Sequence, residues 1–258
     1  MLTTLVVCAV AFTASVLTFF SGFGLGTLLL PAFAIFYPIG IAVASTAIVH
    51  FLNGLLKLVL VGRAAHRETV LRFGIPAIAA AFLGAWVLVR LSAVPPIARY
   101  SVAGLEAVVS PARVVVGVLL LAVTVVEFSP RFAAATVPPK YLPIGGLLSG
   151  FFGGLSGMQG ALRSVFLIRA GLSNEAYVGT GVVVASLVDV SRLGVYSRTL
   201  LDQRGQFDYP VLGAAVASAF LGAVLGNRLL PKLTVVGLRR VVAAMLAIVG
   251  FGLAAGLV

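Results

Sequence analysis

A chain of 258 residues that is 61% hydrophobic and only 10% charged, with a mean hydropathy of +1.17, carries more apolar surface than a water-soluble globule of that size can bury. The net charge of +11 comes from 18 Lys and Arg against 7 Asp and Glu; most of these cations end apolar runs, where headgroup anchoring and orientation explain them and nucleic acid is not the partner. Cys8 is the only cysteine, which excludes an intrachain disulfide.

Apolar runs of about 20 residues, each long enough to span, follow one another along the chain with short charged or proline-bearing connections. The first, Leu2 to Phe20, lacks a basic leader and a small-residue cleavage pattern and reads as a retained helix. It ends in Gly22, Gly24 and Gly26. Thr27 to Tyr37 is apolar but too short to cross alone, and Pro38 bounds it, so it reads as a half-helix or re-entrant piece. Ile39 to Val61 and Leu71 to Val89 are the next two spans. Ser92 to Ala112, with Pro95, Pro96, Arg99, Glu106 and Pro111, is expected to be a surface loop with a short amphipathic helix. Ala112 to Val126 follows as a span, and then Phe128 to Pro139 breaks the pattern with Pro130, Pro138 and Pro139. Beyond it lie Tyr141 to Ile168, interrupted by Gly153, Gly154, Gly157 and Gly160, then Ala176 to Tyr196, Tyr209 to Leu229 and Val235 to Leu257.

This pattern predicts an all-α polytopic membrane protein of about eight transmembrane helices with glycine-broken or re-entrant half-helices, built as two inverted repeats. The first repeat covers residues 1–127, the connection 128–139 and the second repeat 140–258. Cations on both alternate sets of loops, such as Arg63, Arg67 and Arg72 against Arg228, Lys232, Arg239 and Arg240, leave the orientation open.

Each glycine weakens a helix by nearly 1 kcal/mol relative to Ala, so clusters of them in apolar sequence need a reason. One is close helix packing, which the spacing of Gly153, Gly157 and Ala161 fits. The other, favoured because the clusters recur at matching places in both halves, is an unwound element whose freed amides face a polar centre. A helix starting after such a break points its positive end there. Gly22, Gly24, Gly26, Gly154, Gly157 and Gly160 are therefore candidate hinge or backbone-amide positions.

Polar side chains join them. Thr46, His50, Asn53 and Lys57 fall within about 60° of one another on one helix, a polar stripe on an otherwise lipid-compatible span. In the second half Thr180, Ser186, Asp189, Arg192 and Tyr196 form the counterpart, with Asp189 and Arg192 one turn apart and able to pair. Gln159 and Arg163 directly follow the second break. Ionisable residues at membrane depth cost about 2.5–3.5 kcal/mol each, which makes function their default explanation.

The paired glycine segments, Pro31 shortly after the first, Gly179-Thr180-Gly181 as a turn-like helix start, and Asp189 through Arg192 to Tyr196 closely resemble the sulfite exporter TauE/SafE family of membrane permeases. The resemblance covers nearly the whole chain as two repeats, centred on Phe19 to Arg63 and on Phe151 to Tyr196. It implies transport of a small sulfur-containing anion, such as sulfite, thiosulfate, sulfoacetate or a related organosulfonate, across a bacterial cytoplasmic membrane.

The residues themselves point to an anion as well. Lys57, Arg163 and Arg192 outnumber the single deep carboxylate Asp189, and Thr46, Asn53, Gln159 and Thr180 add hydrogen-bonding groups for an oxyanion. These nine residues, His50 included, are the expected substrate site. The expected mechanism is alternating access with no cofactor and no metal. His50 and Asp189 are the candidates for proton coupling. Membrane lipid and a homo-oligomeric partner are further expected contacts. An anion channel, or a permease for a non-sulfur small anion or carboxylate, uses the same cations. No paired-carboxylate, metal-ligand or nucleophile constellation suggests an enzyme.

Overall fold

The computed structural model describes residues 1–21, 25–102, 105–129, 137–229 and 236–257. Among them are ten α-helices and one β-hairpin. The first half holds α1 (Leu2–Ser21), α2 (Leu25–Ala34), α3 (Ile39–Val61), α4 (Arg67–Ser92), the hairpin strands β1 (Ala98–Val102) and β2 (Leu105–Val109), and α5 (Pro111–Phe128). The second half holds α6 (Leu142–Ser156), α7 (Gly160–Leu167), α8 (Asn174–Asp202), α9 (Tyr209–Leu229) and α10 (Val236–Ala254). Four stretches, Ile39–Ala64, Arg67–Ser92, Asn174–Arg198 and Tyr209–Gly226, are long and apolar enough to cross a membrane, and shorter apolar helices accompany them. The chain is a predominantly helical, multi-pass membrane protein.

Local chemistry explains the boundaries. Ser110 caps α5 by accepting from the Arg113 amide at 3.4 Å, with Pro111 at the first helical position, where its missing N–H costs nothing. His66 caps α4 through Nδ1, which accepts from the Thr69 amide. The short α2 is buried over all ten of its residues, as suits a helix packed inside the protein.

Three expectations need correction. The Ser92 to Ala112 segment holds the antiparallel β1–β2 hairpin, with Ala98 opposite Val109 and Val102 opposite Leu105, in place of an amphipathic helix. Its β-branched and aromatic residues, Tyr100, Val102, Val108 and Val109, favour extended backbone, and the Val108 amide and Tyr100 hydroxyl bond the Gly256 and Ala255 carbonyls at 2.8 and 2.5 Å. Gly179-Thr180-Gly181 is no helix start. The helix begins at Asn174, and Gly179 serves close approach, since a Cβ there would stand 2.7 Å from the Val61 carbonyl oxygen. The tight glycine seam also uses another register than Gly153, Gly157 and Ala161. Gly146, Gly150 and Gly154, one turn apart on α6, lie directly on the carbonyls of Phe73, Ala77 and Ala81 of α4, so these two helices run parallel.

The contacts between halves are reciprocal. The first helix of the second half, α6, packs along the fourth of the first, α4, while α1 packs along α9, the fourth of the second half. The third helices, α3 and α8, pair with each other, and so do the fifth, α5 and α10. Both of these like-with-like pairs are antiparallel: His50 meets Asp189, Gly54 meets Ser186 and Val61 meets Gly179, while Gly117 meets Ala254 and Leu121 meets Gly250. At one end of the molecule the Tyr37 hydroxyl bonds Asp208 at 3.2 Å, and at the other the His66 amide bonds Thr180 at 2.9 Å.

Candidate functional site

The second glycine break packs against the start of α2. In the second half α6 stops where Gly157 takes φ +82°, a left-handed conformation that L side chains rarely adopt, and its amide donates to the Gly153 carbonyl at 2.7 Å. The backbone stays non-helical through Met158 and Gln159 and restarts as α7 at Gly160, which is buried. In the first half Gly22 and Gly24 lie outside the described residues, and α2 starts just after them. Gly26 on α2 packs on this turn, close enough that a Cβ would come 2.8 Å from the Gly157 carbonyl oxygen. On its other side Gly157 faces the guanidinium of Arg192, whose Nη1 would lie 2.5 Å from a Cβ. Two helix starts and a guanidinium thus converge within one turn of chain, all of them sources of positive potential.

The guanidinium belongs to a fully buried polar triad that joins α3 to α8. Asp189 Oδ2 lies 2.5 Å from His50 Nδ1, and Asp189 Oδ1 receives Arg192 Nε at 2.9 Å and lies 2.8 Å from Arg192 Nη2. Asp189 and Arg192 are both 0% exposed, and His50 9%. The i,i+3 spacing on α8 supplies the ion pair, and the antiparallel crossing with α3 brings the imidazole to the remaining carboxylate oxygen. With His50 neutral, Asp189 and Arg192 cancel. Arg192 Nη1 remains without a hydrogen-bond partner among the described residues. Tyr196, one turn further on α8, donates to the Gly154 carbonyl at 2.5 Å and fixes α8 to α6 beside the turn.

Other expected residues frame this triad. Thr46, one turn before His50, is buried and its hydroxyl has no partner among the described residues. The same holds for both amide atoms of Gln159, folded back over Gly153 beside Val188, while the Gln159 backbone carbonyl accepts from Ser149 at 3.1 Å. Asn53 is buried and accepts from Ser15 of α1 at 3.2 Å.

Three expected residues sit away from the triad. Lys57 lies about 10 Å along α3 from His50, toward the end where α3 turns into α4. It is buried, within electrostatic reach of Arg163. Arg163 on α7 is half-buried, with Nη1 unpartnered among the described residues and the chain beside Gly181. Thr180 accepts the His66 amide and so ties α8 to the turn between α3 and α4. Gly154 lies on the α4–α6 packing face.

Sequence reasoning did not single out Ser15 or Thr27. Thr27, next to Gly26, is fully buried with an unpartnered hydroxyl among the described residues. Its adjacency to the first glycine cluster was an available signal. Ser15 is one of several small hydroxyl residues in α1, and only the tertiary approach of Asn53 singles it out.

Compared with known families, the chain matches the family model described as "Sulfite exporter TauE/SafE" over residues 7–253. No curated protein and no solved structure matches it.

Proposed function

The chain belongs to the sulfite exporter TauE/SafE family of membrane transporters, and from that premise we propose that it carries a small sulfur-containing anion across the bacterial cytoplasmic membrane by alternating access. The observation that carries this reading is the Gly157 turn, packed between Gly26 of α2 and the guanidinium of Arg192, with Arg192 Nη1 and, two residues along the chain, the Gln159 amide unpartnered among the described residues. An oxyanion there takes a charge-assisted hydrogen bond from a guanidinium already oriented by Asp189, together with bonds from Gln159, Thr46 and amides at the starts of α2 and α7. Lys57 and Arg163 line the approach from the His66 end and attract the anion before it reaches the centre.

The reciprocal packing supports two inverted repeats, residues 1–127 and 140–258 joined by 128–139. The antiparallel pairs α3–α8 and α5–α10 are what an axis in the membrane plane generates between equivalent helices. In this reading α2 and α7 are re-entrant half-helices and the other eight helices cross. Tyr37–Asp208 closes one end and His66–Thr180 the other, so that opening one contact at a time exposes the central site to alternate sides. In this reading His50, in contact with Asp189, is the candidate for proton coupling.

Ligand-dependent thermal unfolding of the detergent-purified chain tests the site, because a ligand that binds only the folded protein raises its stability. A panel of sulfite, thiosulfate, sulfoacetate, taurine, sulfate, phosphate and chloride at fixed ionic strength is expected to give a selective shift with a sulfur anion. The Arg192→Gln variant should lose it in protein that still folds, at a lower unfolding temperature because Asp189 is left without its cation. Wild-type flux in that variant would sink the assignment.

A further inference from the structure

The unpaired polar atoms around the break define more than a positive site. Resting on the anion-site reading above, we infer that the substrate is an anion carrying its own hydrogen-bond donor, an O–H or N–H near the charged group, and that Gln159 selects for it.

The buried groups set what a ligand must offer. Arg192 Nη1 is a donor only. The hydroxyls of Thr27 and Thr46 rotate and serve as donor or acceptor as needed. Asp189 could accept, but His50 holds one of its oxygens and Arg192 the other. Gln159 differs from all of these: buried to 1% exposure, it has neither Nε2 nor Oε1 bonded to any described residue. Whichever way its amide is turned, one donor-only atom and one acceptor-only atom remain. The side chain is held in place, since its stem packs where a Cβ on Gly153 would stand 3.1 Å away and its backbone carbonyl is bonded to Ser149.

A fully deprotonated oxyanion or a halide satisfies the donors and sets its negative charge against Gln159 Oε1. An anion with one O–H or N–H satisfies both kinds of atom. Monoprotonated oxyacids, such as hydrogensulfite, and hydroxy- or amino-substituted sulfonates share that chemistry. Sites with a buried group built to bond a substrate donor reject the analogue that lacks it far more strongly than apolar pockets reject a missing methylene.

The test compares anions of equal charge that differ by one hydroxyl. Affinities for ethanesulfonate and 2-hydroxyethanesulfonate, and separately for acetate and 2-hydroxyacetate, are read from ligand-induced stabilisation of the full chain in detergent. In a pair that binds, the hydroxylated member is expected to bind about tenfold more tightly or better. In Gln159→Met, which keeps the side-chain length and removes both polar atoms, the ratio should fall toward one. Equal affinity within a wild-type pair that binds overturns the inference, whether or not the variant folds, and so does a ratio that survives in folded Gln159→Met. Discrimination in the carboxylate pair with no sulfonate binding supports the donor rule and overturns the sulfur-anion reading. Binding of neither pair overturns the inference, and the sulfur-anion reading falls with it when sulfite and thiosulfate also give no shift.

Discussion

Replacing Gly157 by Ala tests whether the second break is shaped for Arg192 or is merely a turn. Two costs follow from the geometry. At φ +82° an L residue adopts a left-handed conformation, which costs roughly 1–2 kcal/mol. The new methyl would also stand 2.5 Å from Nη1, 3.3 Å from Cζ and 3.4 Å from Nη2 of Arg192, so the guanidinium must withdraw by about 1 Å to reach ordinary contact. It is not a free end, because Nε and Nη2 are both held by Asp189, and losing a hydrogen bond to a charged group costs about 1.5–3 kcal/mol. Gly171→Ala isolates the first cost. Its φ is +71° and a Cβ there meets nothing within 4 Å. Thermal unfolding should therefore rank Gly157→Ala below Gly171→Ala by about 1.5–3 kcal/mol, and anion flux into proteoliposomes should collapse only in Gly157→Ala. Equal destabilisation with normal flux in both variants would refute the reasoning, leaving Gly157 with only a turn to make.

Removing one partner of the buried ion pair by Asp189→Asn should destabilise the protein by about 3–5 kcal/mol, whereas replacing both, as Asp189→Leu with Arg192→Met, should recover much of that loss without anion binding; unfolding and ligand-shift measurements on the two variants separate these outcomes. Gly150→Ala should cost about 1–3 kcal/mol because its Cβ collides with Ala77 of α4, while Gly213→Ala, with open space around it, should be neutral or gain up to about 1 kcal/mol, both read from unfolding midpoints. Burial and then the Asp208 carboxylate push the Tyr37 phenol from 10.0 up to about 12. The folded state therefore keeps this proton after the unfolded chain has lost it, so the stabilisation is complete below pH 10 and disappears as pH rises through about 12; stability measured against pH should lose this alkaline decline in Tyr37→Phe.

What the sequence reveals and what it hides separate along physical lines. Periodicity and spacing are local, and the features that depend on them are legible: the i,i+3 pair of Asp189 and Arg192, the stripe from Thr46 to Lys57, and a short helix caught between a glycine cluster and Pro38. Features that depend on which surface a residue meets are not. Gly146, Gly150 and Gly154 and the run Gly153, Gly157 and Ala161 are equally good small-residue stripes on paper. Only the parallel approach of α4 makes the first the seam, and that frees Gly157 to turn against Arg192. Thr180 reads as a ligand from its place in the second polar series, yet it accepts the His66 amide, because α8 starts at Asn174 and carries Thr180 past the end of α3. The hairpin escapes for a different reason: five-residue strands give too few alternations to stand out beside prolines.

The same distinction separates two kinds of contact between the halves. The α4–α6 seam presses glycine onto backbone along three successive turns and is a rigid contact between halves. The α3–α8 crossing carries instead the buried polar contact of His50 with Asp189. In the proposed site, a substrate held by Arg192 from one half and by Thr46 or Thr27 from the other would act beside this polar contact and away from the α4–α6 seam. Substitutions along Gly146, Gly150 and Gly154 should consequently lower stability, while those at His50 should alter flux and its pH dependence in protein that still unfolds near the wild-type temperature.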